Sequence, residues 1–80
     1  MNFQRVQVEC YSGGRADERP RRVTIDGRVH VVARLLSESV EQASGSTDRV
    51  RCFEVLTEEG LTVELIRTSD GNWYLTSIRG

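Results

Sequence analysis

Two cysteines and a single histidine are the residues of this 80-residue chain best suited to covalent or metal chemistry. A Cys–His nucleophile needs a thiolate within reach of His30 and a third group to orient the ring. Cys10, Cys52 and His30 each fall inside a run that reads as a strand, not on a loop around a cleft. A cysteine on a strand usually behaves as a small buried hydrophobe, and a buried thiol is inert. Structural zinc asks for four ligands, typically with close Cys-x-x-Cys spacing, which is absent. Asp17, Glu18 and Asp26 lack the spacing of a calcium loop. Ser12-Gly13-Gly14 has neither the lysine nor the following helix of a phosphate loop. The expectation is a protein without catalytic residues, metal or cofactor.

What remains is arginine. All the cations are Arg and none is Lys, at a formal net charge of −1. Genomic base composition is the reading of that preference favoured over selection for arginine chemistry, because no dedicated phosphate site is built here. Its chemical consequence is a planar donor fork that suits carboxylates and phosphates. The charge is unevenly spread: residues 1–40 hold seven Arg against five acids, and residues 41–80 hold four Arg against seven acids. The densest segment is Arg15-Ala16-Asp17-Glu18-Arg19, followed by Arg21, Arg22 and Arg28. As a recognition surface, these arginines would contact a partner's carboxylates or phosphates. As a self-paired loop, Asp17 and Glu18 would neutralise Arg15 and Arg19, with Tyr11 as anchor. Trp73 and Tyr74 are adjacent, so on a strand they face opposite sides. Trp73 is expected in the core with Phe53 and Val63. Tyr74 is expected on display, read as a rim or interface residue in preference to one that stacks a base.

The elements that must position these residues are strands. Val6, Val8 and Cys10 alternate with Arg5, Gln7 and Glu9, the period of a half-buried strand over residues 4–10. Residues 12–19 contain a Gly pair and no apolar period, and read as a loop. Pro20 belongs at a strand start or an edge. A strand over 21–25 turns Val23 and Ile25 inward. Asp26-Gly27 supplies the positive φ values of a type I′ turn, which makes 21–34 a hairpin. The third strand is expected over 28–35, with Val29, Val31, Ala33 and Leu35 on one face. Val32 and Leu36 break the alternation, as in a bulge or a strand covered on both faces. Residues 37–48 read as a loop. The alternative is one helical turn within 35–43, from the spacing of Leu36, Val40 and Ala43. Strands over 49–57, 61–68 and 72–78 complete the chain, joined by turns at Glu58-Glu59-Gly60 and Asp70-Gly71.

Six short strands with tight turns predict an all-β barrel or sandwich. It is read as a six-stranded antiparallel meander that is barrel-like (SH3-like or a similar small barrel), with a closed barrel and an open sheet both left open by the sequence. Eighty residues fit one such domain, spanning 1–80. The opening alternation is not that of a signal peptide, and no apolar run approaches the ~20 residues of a membrane span. A cytoplasmic protein with reduced thiols is expected.

The segment from Tyr11-Ser12-Gly13 through Glu18-Arg19-Pro20 resembles a family of short bacterial proteins of unknown function. The resemblance continues through Gly27-Arg28, Phe53-x-Val55, Gly60 and Gly71-x-Trp73-Tyr74-Leu75, and so covers nearly the full chain. A similar domain is appended to some bacterial translesion-type DNA polymerases. Family members carry an aromatic near position 14 and more aromatics in the middle loop. Here Gly14 and the Ser/Gly-rich 44–47 stand instead, so an aromatic surface built there is missing or weakened. The family has no assigned activity, and the resemblance implies a fold more than a function.

The expected function is a small β-barrel interaction module that engages a protein partner through an open strand edge or the Arg-rich loop. The alternative is weak, salt-sensitive nucleic-acid binding by the 15–28 segment with Tyr11 or Tyr74. A net charge near zero gives no reason to expect a membrane partner.

Overall fold

The computed structural model describes residues 3–11, 19–42 and 48–80. Six strands run in chain order: β1 (Gln4–Cys10), β2 (Pro20–Ile25), β3 (Arg28–Gln42), β4 (Arg49–Thr57), β5 (Thr62–Arg67) and β6 (Trp73–Arg79). Each pairs antiparallel with the next, and β1 pairs back onto β6 to close a barrel. Among the described residues there is no helix, and hence none long and apolar enough to cross a membrane. Closure leaves the body of the sheet without an exposed edge.

Alternation fills the interior. Val23, Val55 and Val63 are fully buried, and Phe53 and Trp73 stack at a centroid distance of 5.1 Å with their rings tilted by 41°. Val6, Ile25, Val32, Leu65 and Leu75 complete this core, and Val8, Cys10, Leu35 and Leu61 pack against it. Each large aliphatic or aromatic side chain so buried contributes about 1.5–3 kcal/mol. Two polar side chains are inside as well. The Thr57 hydroxyl accepts the Leu61 N–H at 3.0 Å, and His30 Nδ1 lies 2.5 Å from a Glu59 carboxylate oxygen.

The turns set the register. Asp26 (φ 50°) and Gly27 (φ 80°) form the expected two-residue hairpin, which pairs Ile25 with Arg28 and Val23 with His30. The β4–β5 and β5–β6 turns each enclose three residues between their closing pairs, Thr57/Leu61 and Thr68/Asn72, and end at Gly60 (φ 93°) and Gly71 (φ 89°). Both are closed by bonds from the residue before the loop, as in Thr57 N–H to the Leu61 carbonyl at 2.8 Å.

β3 departs from expectation in two ways. It runs to Gln42, so residues 37–42 are strand, and no helical turn forms over 35–42. Its inward residues are His30 and Val32, while Val29 and Val31 are exposed. The two-residue turn dictates this, because Val23 and Ile25 point inward and their cross-strand partners must do the same. Register slips at Ala33 and Leu36 mark β-bulges and shift the phase, which returns Leu35 to the inner side opposite Val55. The predicted 12–19 loop and the Ser/Gly stretch 44–47 lie mainly outside the described residues.

The β5–β6 turn carries a pH-dependent element. The Thr68 hydroxyl donates to the Asp70 carboxylate, and Asn72 adds its side-chain amide at 3.1 Å. The Thr68 bond, with help from Asn72, holds the Asp70 carboxyl below its ordinary value of 3.8. A depressed folded-state value adds stability above the unfolded value, and that stability is lost as pH falls through the folded one. Asp70→Ala is therefore expected to be less stable than the parent at neutral pH. The gap in urea midpoint should close below about pH 4, the unfolded range of an aspartate.

Candidate functional site

The site begins with the length of β3. Its pairing with β2 ends at Val31, and from Val32 to Gln42 it pairs only with β4. On the side facing away from β4, no other described strand covers residues 32–42. This stretch of β3 is therefore an edge arm held on one side by β4. β4 itself pairs with β5 from Arg51 to Leu56, so that only Glu41 and Gln42, with Val50 and Arg49, extend past the β5 ladder. The bulges at Ala33 and Leu36 lie just past Val31, the last residue of β3 that pairs with β2. Across the arm Glu38 is ion-paired with Arg51, whose guanidinium sits over the Phe53 ring at 5.4 Å. That contact ties the arm to the core. Leu36 and Val40 are exposed along it, Val40 at 56%.

Where β2 leaves β3, a groove of about 430 Å³ opens, lined by Tyr11, Arg19, Pro20, Val32, Ala33, Arg34 and Leu35. Pro20 and Val32 are its buried residues. The Tyr11 N–H donates to the Arg19 carbonyl at 3.1 Å, which holds the two ends of the 11–19 segment together. The Tyr11 ring is 54% exposed, and the Arg21 guanidinium lies over it, 5.7 Å from the centroid. Among the described residues Arg19, Arg21 and Arg34 form no ion pair.

The residues singled out from the sequence do not form one surface. Tyr11 and Arg19 line the groove, and Arg21 reaches it only through its contact with the Tyr11 ring. Arg22 is half-exposed on the outer face, bonded to Glu9 at 2.8 Å. Arg28 stands at the β2–β3 turn, the opposite end of that ladder. Tyr74 is half-buried on the far side of β1, opposite Arg5 and Ile66. Arg15, Asp17 and Glu18 lie outside the described residues.

Sequence reasoning missed Arg34, which the groove places beside Arg19. The signal was the broken alternation from Val32 to Leu36, which marks the two bulges that re-aim these side chains.

The thiol and imidazole candidates are kept apart. His30 points into the barrel, with the β4–β5 turn and Glu59 over it, and the Glu58 N–H fastens that turn to the Val31 carbonyl at 2.9 Å. Cys52 belongs to the outer face of β4, opposite Ser39. Partial burial pushes its thiol above the ordinary value, and the Glu41 carboxylate pushes it further. It is thus held as a protonated thiol at neutral pH, the unreactive form. The surrounding concavity, lined by Phe3, Ile66, Thr76 and the acids Glu41, Glu54 and Glu64, is polar, and Arg79 bridges two of those acids.

No family model matches this chain, and no curated protein or solved structure is similar to it.

Proposed function

We propose that this protein is an interaction module that takes an extended segment of a protein partner as an added strand on β3. The observation that carries this reading is the one-sided pairing of residues 32–42. An open edge presents a row of backbone donors and acceptors that an extended peptide satisfies, while flanking side chains select its sequence. Leu36 and Val40 offer apolar contacts along the edge, and the Glu38–Arg51 pair holds the arm in shape before binding. Pre-organisation of this kind lowers the ordering cost of association.

The nucleic-acid reading has less support. Arg22 is already paired, Arg28 lies at the other end of β2, and Tyr74 is remote from Tyr11.

Amide-resolved NMR titration with an end-blocked octapeptide alternating threonine and valine tests the edge reading. Shifts are expected at residues 33–42. N-methylation of alternate peptide residues, on the side that faces β3, should abolish them, while methylation of the intervening residues leaves them intact. Shifts elsewhere, or shifts indifferent to N-methylation, would remove strand addition as the function.

A further inference from the structure

Building on the edge reading, we propose that the segment accepted by β3 runs antiparallel to it and carries carboxylates at its C-terminal end, seated between Arg19 and Arg34.

The arm has an electrostatic polarity. At its barrel end Arg19 and Arg34 line one groove, with Arg21 over the Tyr11 ring at its wall, and none of the three has an ion pair among the described residues. The contrast with other arginines is direct, since Arg22, Arg51 and Arg79 are bound to Glu9, Glu38 and the Glu54/Glu64 pair. At the far end stands the exposed carboxylate of Glu41, seven residues from Arg34 and so about 23 Å along an extended strand. A carboxylate on the partner is drawn to the first end and finds no such surplus of cations at the second, where Glu41 stands beside the one described arginine opposite Gln42, Arg49. Such an arrangement fixes register and orientation more than it adds affinity.

Geometry supplies the direction. Every ladder of the barrel is antiparallel, and antiparallel pairing is the more stable per residue. A segment antiparallel to β3 ends its chain beside Arg34. Its last side chains then reach a groove whose charge comes from arginine forks, suited to bidentate carboxylate binding. The exposed Tyr11 ring, covered on one face by Arg21, forms the wall of that seat.

The test uses three fluorescein-labelled, end-blocked nonapeptides and the full chain, read by fluorescence anisotropy at two salt concentrations. The first alternates threonine and valine and ends in two aspartates. The second is its reverse, and the third replaces the aspartates with lysines. The aspartate-ended peptide is expected to bind about tenfold more tightly than the lysine-ended one, with the advantage shrinking as salt rises. Arg34→Glu should erase that advantage. Arg5→Glu makes the same change in charge on the other side of β1 and should leave binding within about twofold. Thermal melts by circular dichroism confirm that both variants fold.

Equal binding of the three peptides overturns the proposal, as does tighter binding of the reversed one. If all three bind equally yet lose binding on alternate N-methylation, the edge reading stands and only the acidic seat falls. If the aspartate-ended peptide binds regardless of N-methylation, strand addition falls, and the antiparallel placement with it. Binding that appears only in Asp17→Asn/Glu18→Gln would assign the seat to the chain's own acids and overturn the proposal. So would a single-stranded dT decamer that binds more tightly than the peptide and is lost in Arg34→Glu.

Discussion

Phe53→Ala is expected to destabilise the protein by about 3–5 kcal/mol, the range for truncating a large buried aromatic. Phe53 is 2% exposed and packs on Trp73, which lies two strands away on β6, with the rings tilted. Leu65 lies directly across from it on β5, so the void left by alanine borders two of the larger core residues. The loss includes the contribution of the tilted aromatic pair, about 0.5–1.5 kcal/mol. It also removes the ring beneath Arg51, the contact that ties the β3–β4 arm to the core. Domains of this size have about 5–15 kcal/mol in total. The melting temperature should therefore fall by more than about 10 °C, given 4–8 °C per kcal/mol at this length. Val40→Ala, at an exposed position of the same arm, should change it by only a degree or two. A loss below about 1 kcal/mol for Phe53→Ala would mean that this pair is not the centre of the core.

Gly60→Val is expected to cost about 2 kcal/mol for a different reason. The added Cβ meets nothing within 4 Å, so no clash contributes. The cost is conformational, because φ is +93° and a β-branched residue strongly disfavours that region. Gly60 closes the turn that carries Glu59 over His30. Strain there also loosens the cover on the one imidazole inside the barrel. Gly60→Asn should lose less, since asparagine tolerates left-handed backbone better than valine does. Urea unfolding of the two variants gives the comparison directly. Equal losses would point to steric crowding in place of backbone strain.

Much of the architecture was legible because the strands are short and their alternation is clean. The runs Gln4–Cys10 and Arg49–Thr57 coincide with β1 and β4, and the inward set Val23, Ile25, Phe53, Val55, Val63, Leu65, Trp73 and Leu75 follows from period two. Six short strands favoured a barrel-like fold, but whether the sheet closes or stays open was not legible in the sequence and comes from the pairing of β1 with β6. β3 was misread because valine at 29 and 31 was weighed above the turn that precedes it. Asp26-Gly27 forces Arg28 opposite Ile25, and that geometry turns His30 inward whatever its polarity. The polar residues 37–42 read as loop because an arm paired on one side has no buried face to give it an apolar period.

The groove was partly legible. Tyr11, Arg19 and Arg21 were marked by composition, but the convergence of Tyr11 and Arg19 with Arg34 depends on two bulges whose effect on side-chain direction is not written in residue type. Arg22 and Arg28 were marked by the same composition, and the register separates them from that groove.

Amide hydrogen exchange across residues 37–42 of the unliganded protein tests the open edge most directly. In an antiparallel strand, successive N–H groups point to opposite sides, so an edge paired only to β4 has protected and unprotected amides in alternation. The account predicts that alternation. It also predicts that the fast-exchanging set becomes protected when the aspartate-ended peptide is added. Uniform protection of 37–42 in the unliganded monomer would show the edge already covered and would contradict strand addition.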